Sequence, residues 1–418
     1  MDIEELLGGL IRRLSRHATI FRDSGHGSLL PAGDAGKRYL LYLHIPYCIA
    51  LCPFCSFHRV LFEPNSSKRY FESLRLEIAQ ATENAYAFDE LYVGGGTPTV
   101  LPDELVTTIN MVRAKHPVVD ISVETNPDHL RPEALRKLRD AGVSRLSVGV
   151  QSFDDVLLKA MRRFDNYGSG TDIAERLVSV RGMLDTINVD MIFNLPNQTE
   201  ASLRRDLDIL IDRVAADQVS FYPLMTSDST KAEMSRTMGP PDLSRQKDYY
   251  ELIVERMLSA GYCRSSAWCF SRKPGMFDEY IADREEYVGL GSGAFSYLQG
   301  ALYANTFSIN GYMQMLEDGK GGTVSQRKMS DQDQKRYYLL MRLFGGTLNK
   351  QQAEARFDGG FQHGLWPELT ALKAINAVKD TGDSLILTER GYYLWVILMR
   401  DFFTEINTLR EQLRHEPA

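Results

Sequence analysis

The chain predicts an α/β fold, a parallel barrel or open sheet, followed by a helical C-terminal domain of winged-helix type, and three observations carry that expectation. Short apolar runs alternate with longer segments of helical period from residue 39 onward, the pattern of repeated βα units. Polar and glycine-rich motifs fall where those runs end, as they do when chemistry sits at the carboxyl ends of parallel strands. Beyond about residue 312 the alternation gives way to helix-rich sequence.

Residues 1 to 37 open with an amphipathic stretch, Glu4-Glu5-Leu6-Leu7 to Leu14, and continue into the Gly/Ser-rich run Ser24-Gly25-His26-Gly27-Ser28. A docked helix and a linker are expected there. Residues 38 to 312 form the α/β domain, with strands expected at Tyr39–Ile45, Glu90–Val93, Asp120–Glu124, Arg145–Val150, Thr186–Phe193 and Gln218–Tyr222. Helices are expected between them at Lys68–Asn84, Pro102–Lys115, Arg131–Ala141 and Glu200–Val214. Residues 313 to 418 hold a break at Phe344-Gly345-Gly346-Thr347, a hairpin across Asp380–Thr388, and a long apolar helix with charged ends running to Arg414.

With 418 residues, 44% hydrophobic and 25% charged, the chain has room for one large domain and a smaller one. A net charge of −7 and a pI near 5.7 exclude a bulk electrostatic grip on nucleic acid, so a small or apolar substrate is expected. Asp2, Glu4 and Glu5 stand where a signal peptide would carry positive charge, and no apolar run of about 18 residues follows, so the protein is expected to be cytoplasmic. Three of the five cysteines crowd between 48 and 55, which fits thiolates holding a metal better than a disulfide framework.

His44-Ile45-Pro46-Tyr47-Cys48 leaves the first strand, and Cys52 and Cys55 complete a C-x3-C-x2-C loop. Three thiolates on one short loop hold three irons of a 4Fe–4S cubane and leave the fourth open. The amino and carboxylate groups of S-adenosylmethionine (SAM) chelate such an iron, and an electron from the reduced cluster cleaves the sulfonium to a 5′-deoxyadenosyl radical. A structural zinc is the alternative; it needs four ligands, and although His44 and His58 flank the loop, no fourth cysteine is near. Cys263 and Cys269 are too remote in sequence to complete the loop.

Gly94-Gly95-Gly96-Thr97-Pro98-Thr99 follows the next strand, where bare backbone suits the methionine end of SAM. Further polar residues at strand ends, Glu124, Gln151, Asp190 and, more loosely, Arg163, need partners in a buried mouth and together read as a cofactor-binding ring.

These motifs resemble the oxygen-independent coproporphyrinogen III oxidase family of radical SAM enzymes, through L-Y-L-H-I-P-Y-C, G-G-G-T-P-T, V-G-V-Q-S-F-D-D and D-M-I-F-N-L-P-N-Q-T, between about Tyr39 and Tyr312. The resemblance implies a partial (β/α)6 barrel and two SAM molecules side by side. By it, Tyr42, Gly95 and Glu124 contact the SAM that chelates the cluster, and Phe54, Gly96, Thr97, Gln151, Arg163 and Asp190 contact the second.

Two departures matter. Phe57 stands where the decarboxylating oxidase has a fourth cysteine, and Phe277-Asp278-Glu279-Tyr280-Ile281-Ala282 lacks the heme-ligand histidine of the family's heme chaperones. The branch this leaves is similar to class C radical SAM methyltransferases, with menaquinone at ring carbon 8 as the expected acceptor. An oxidase or ring-opening enzyme on a tetrapyrrole, and a heme chaperone without turnover, are the alternatives. A flavodoxin- or ferredoxin-type electron donor is implied, and a quinone substrate would bring peripheral contact with the inner membrane face. Aromatic and Met residues around Trp395–Phe403 are the candidate apolar collar for it.

Overall fold

The computed structural model describes residues 22–225, 228–274 and 284–415. The amphipathic stretch at 4–14 and the segment 277–282 lie outside the described residues. The first strands in chain order are β1 (Arg22–Ser28), β2 (Tyr39–Ile45) and two short ones, β3 (Tyr47–Cys48) and β4 (Val60–Leu61). The βα units follow with β5 (Phe88–Gly95), β6 (Asp120–Thr125), β7 (Arg145–Gln151), β8 (Thr186–Phe193) and β9 (Gln218–Pro223). Then come β10 (Cys263–Arg264), β11 (Cys269–Ser271), β12 (Tyr287–Leu290), β13 (Phe295–Leu298), β14 (Ala301–Asn305) and β15 (Thr323–Lys328).

Apart from β3 and β4, which pair only with each other, these strands make one sheet, ordered β1-β15-β14-β13-β12-β2-β5-β6-β7-β8-β9-β11-β10. The stretch from β12 through β2 to β9 is parallel and the strands outside it pair antiparallel, so the barrel is partial and the sheet does not close. Helices cover the parallel strands, which is why β2, Tyr-Leu-Leu-Tyr-Leu-His-Ile, is apolar almost throughout and buried at all but Tyr42.

Strands β2 and β8 occupy the expected residues, β6, β7 and β9 run one residue further, and β5 extends the expected strand by two residues at each end. The helix expected from Lys68 begins a turn earlier, at Pro64. Glu63 caps it by accepting from the N–H groups of Asn65 and Ser66, and Pro64 at the first position has no N–H to leave unsatisfied. Pro102 and Pro132 also open the next two helices, though without a side-chain cap. Ser28 and its neighbours, expected as linker, belong to β1, which pairs with β15; that strand lies beyond residue 312 and still joins the large sheet.

The C-terminal part holds helices at Asp331–Phe344, Lys350–Arg356 and Trp366–Ala374 and a small antiparallel sheet of β16 (Thr347–Asn349), β17 (Val378–Asp380) and β18 (Ser384–Leu387), ordered β16-β18-β17. The last helix, Glu389–His415, has 27 residues. Its first half is core: Trp395, Val396, Leu398 and Met399 are buried, and Trp395 Nε1 donates to the Leu340 carbonyl at 2.9 Å. The expected collar is therefore mostly packing. Further along, Leu409 and Leu413 pack with Phe295, Ala304 and Phe307, which returns the helix to the mouth of the sheet. No helix among the described residues is long and apolar enough to cross a membrane.

Candidate active site

Chain geometry presents the three thiols on one loop. Tyr47–Cys48 pairs in parallel with Val60–Leu61, which pins both ends of the loop, and Cys55 N–H donates to the Cys52 carbonyl at 3.2 Å. Arg59 ties the middle: Nη2 donates to the carbonyls of Cys52 and Cys55, each at 2.6 Å. Burial pushes the Cys48 thiol up to about 11, so metal loading has a proton to displace there.

The glycine-rich loop after β5 packs directly on this strand. Gly96 N–H donates to the Ile45 carbonyl at 2.7 Å and Thr97 N–H to that of Tyr47 at 2.8 Å. A Cβ on Gly96 would stand 2.7 Å from the Tyr47 oxygen, and one on Gly94 would stand 2.7 Å from Glu124 Oε1, so the approach requires bare backbone.

Side chains then link two of the cysteines. Thr97 Oγ1 donates to Cys48 Sγ at 3.5 Å, Asn126 Nδ2 donates to Thr97 Oγ1 at 2.8 Å, Arg163 Nη2 donates to Asn126 Oδ1 at 3.0 Å, and Arg163 Nη1 reaches Cys52 Sγ at 3.4 Å. Asn126 closes this arc and was not singled out from the sequence, although it stands two residues past Glu124. Its signal was position alone, a polar residue just past a parallel strand. Arg59 was also missed; it is a basic residue four positions after the third cysteine.

Glu124 is half-buried at the cavity wall, and desolvation raises its carboxyl above the usual range against the pull of Gly95 N–H and Tyr92 Oη–H, both 3.0 Å away. Burial raises Asp190 to about 7, while Arg145 and hydrogen bonds from Ser147 Oγ (2.8 Å) and Asn188 Nδ2 (2.7 Å) favour its charged form. Gln151 sits at φ +77°, a left-handed conformation at the end of β7 that costs ~1–3 kcal/mol in a residue with a Cβ.

One cavity of about 260 Å³ joins these groups. It is lined by Cys48, Cys52 and Cys55, by Tyr42, Phe54, Gly95, Gly96 and Glu124, and by Gln151, Arg163 and Asp190. Thr97 is buried behind it, against Cys48. The cavity's far wall is aromatic: Tyr222 and Trp268 have ring centres 5.3 Å apart, and Trp268 and Phe403 5.9 Å. Phe403, Asn407 and Arg410 reach it from the last helix.

The donor set fits a 4Fe–4S cluster: three thiols on a clamped loop face one cavity, with hydrogen-bond donors on two sulfurs. No three His, Cys, Asp or Glu among the described residues converge as ligands of one ion, but a cubane needs no such point, because each thiolate takes its own iron. Cys263 and Cys269 lie on the β10–β11 hairpin and do not line the cavity.

Comparison with known proteins agrees with this geometry. A family model for the radical SAM superfamily matches residues 42–210. The heme chaperone HemW of Lactococcus lactis is 28% identical over 363 residues, covering 84% of this chain and 94% of that protein. The heme chaperone HemW of Mycobacterium tuberculosis is 30% identical over 297 residues, covering 67% and 75%. Among solved structures, coproporphyrinogen III oxidase from Escherichia coli, described as a radical SAM enzyme, superposes with a TM-score of 0.73 at 22% identity, over 87% of this chain and 90% of that one, and shows the fold.

Proposed function

We propose, from the premise that this chain belongs to the coproporphyrinogen III oxidase-like family of the radical SAM superfamily, that it is a radical SAM enzyme acting on a large planar aromatic molecule, with a tetrapyrrole the favoured substrate class. The observation that carries this reading is the continuity of one cavity from the three cysteines to the aromatic wall of Tyr222, Trp268 and Phe403. The names of the relatives, a heme chaperone and a coproporphyrinogen III oxidase, favour tetrapyrroles among flat aromatic ligands.

Cys48, Cys52 and Cys55 would hold the cluster, which when bound supplies the electron that cleaves SAM to a 5′-deoxyadenosyl radical. Glu124, oriented by Tyr92 and Gly95, would accept the ammonium of SAM. The apolar wall excludes water around the reacting carbon, and the ordered polar side chains opposite hold the substrate in register. Ile49, Leu51 and Phe57 on the cysteine loop are 40%, 39% and 48% exposed, which offers a flavodoxin- or ferredoxin-type donor a short path to the cluster.

A second reading is methyl transfer with two SAM molecules, to a tetrapyrrole or to a quinone such as menaquinone met at the membrane face. It is favoured by one observation: the residues ascribed to the two SAM molecules line the same cavity side by side, Thr97 excepted. Phe57 in place of a fourth cysteine also counts against simple decarboxylation.

Reduced, cluster-loaded protein incubated with SAM and coproporphyrinogen III, heme or a menaquinone separates the readings. 5′-Deoxyadenosine formed together with an altered, unmethylated tetrapyrrole is the expected result. S-adenosylhomocysteine with a methylated product would establish the second reading, and methylation of the quinone alone would overturn the substrate class. Tight heme binding without SAM cleavage would make the protein a carrier.

A further inference from the structure

Three arginines line the cavity, and two of them spend both terminal nitrogens or the fork on the protein itself, although Arg163 Nε, like Arg410 Nε, is a buried donor without an acceptor. Arg59 holds the carbonyls of Cys52 and Cys55; Arg163 holds Asn126, the Gly149 carbonyl and Cys52. Arg410, from the last turns of the helix Glu389–His415, is different. Among the described residues its one hydrogen bond runs from Nη1 to Asn407 Oδ1 at 2.9 Å, and no carboxylate pairs with it. Its Nε is a buried donor with no acceptor.

The guanidinium is nevertheless held in place. Its centre lies 5.2 Å from the Phe57 ring and 5.7 Å from the Phe295 ring, so aromatic groups position a flat cation beside the cysteine loop. Its charge reaches Tyr42 and Glu124 across the cavity. What is left unused is the edge formed by Nε and Nη2, the edge that takes a carboxylate through two parallel hydrogen bonds. Arg69 shows the same edge filled in this molecule, with Nε and Nη2 on Glu317 Oε1 and Oε2, both at 2.7 Å. A buried donor without an acceptor is costly unless a ligand supplies one.

We infer that Arg410 is the receptor for a carboxylate of the molecule bound in the cavity, delivered by the C-terminal helix. Two sources share that chemistry: the methionine carboxylate of a SAM molecule, and an acidic side chain on the substrate. The substrate arm rests on the tetrapyrrole reading; the SAM arm does not.

The test is equilibrium binding to cluster-loaded, full-length protein as wild type, Arg410→Lys and Arg410→Met, with two matched pairs of probes: SAM against decarboxylated SAM, and coproporphyrin III against its tetramethyl ester. Arg410→Met is expected to weaken the carboxylate-bearing member of one pair about tenfold or more, to leave its carboxylate-free partner within about twofold, and to be partly rescued in Arg410→Lys. Loss confined to SAM identifies the cofactor as the source; loss confined to free coproporphyrin identifies the substrate. Unchanged binding of both carboxylate-bearing probes by Arg410→Met, or equal loss of the carboxylate-bearing and carboxylate-free member of each pair, overturns the inference. Wild-type protein that binds neither porphyrin sinks the tetrapyrrole reading and leaves Arg410 to be judged on the SAM pair.

Discussion

At the scale of the residue, Asp190 joins two properties that pull against each other. It is half-buried at the cavity wall, and desolvation lifts its carboxyl from 3.8 to about 7, yet Ser147 and Asn188 both donate to it. A carboxyl whose folded pKa exceeds its unfolded one stabilises the fold at low pH and loses that contribution as pH rises through the folded value. The rise corresponds to a penalty on the order of 4 kcal/mol, absent below about pH 4 and complete above about pH 7. Asp190→Asn should therefore gain on wild type in urea midpoint between pH 4.5 and 7.5; a constant difference across that range would show that Asp190 does not titrate there. A cationic ligand group beside Asp190 would offset the penalty, so SAM should stabilise wild type more than the variant at pH 7.5. Asp190 was legible as a polar residue toward the end of an apolar strand, whereas Asn126 and Arg59 were not, because their roles depend on partners from other segments.

At the scale of the element, the cysteine loop is shaped less by itself than by the glycine loop packed on it. Gly96→Ala would place a methyl 2.7 Å from the Tyr47 oxygen, against backbone that has little room to yield. Iron per chain after reconstitution is expected to fall at least severalfold, with the melting temperature lowered by a few degrees. Full iron content in this variant would mean that the two loops move independently. Cys48→Ala, Cys52→Ala and Cys55→Ala should each abolish the brown colour and SAM cleavage. The double variant Cys263→Ala/Cys269→Ala should keep both, since the β10–β11 hairpin lies off the cavity. Loss of iron from the double variant would show instead that the hairpin contributes ligands.

At the scale of the whole molecule, the active-site cavity is assembled from both ends of the chain. The βα units supply the floor, and the helix Glu389–His415 supplies Phe403, Asn407 and Arg410 before Leu409 and Leu413 anchor it on Phe295 and Phe307. Burial of those two leucines contributes roughly 2–3 kcal/mol each, enough to hold the end of the helix down but small beside the core of the large sheet. A chain stopped after Thr404 should fold, melt a few degrees lower, and lose its visible cluster absorbance in air several times faster than the full-length protein. An unchanged lifetime in air would show that the last turns do not shield the cluster.

The parallel strands, the helices between them, the C-x3-C-x2-C loop and the polar strand ends were legible because each depends on residues close in sequence: apolar run length, helical period, ligand spacing. The strands from β12 to β15 were not read, and neither was the place of β1 beside β15. Their pairing is settled by the partner strand, and sequences such as Thr323-Val324-Ser325-Gln326-Arg327-Lys328 carry no apolar run to announce it. The hydrogen-bonded arc from Cys48 to Cys52 and the position of Arg410 were decided by tertiary structure alone. Thr97, Asn126 and Arg163 come from three different connections, and Arg410 lies 355 positions beyond Cys55, a distance that only the return of the last helix to the mouth of the sheet can close.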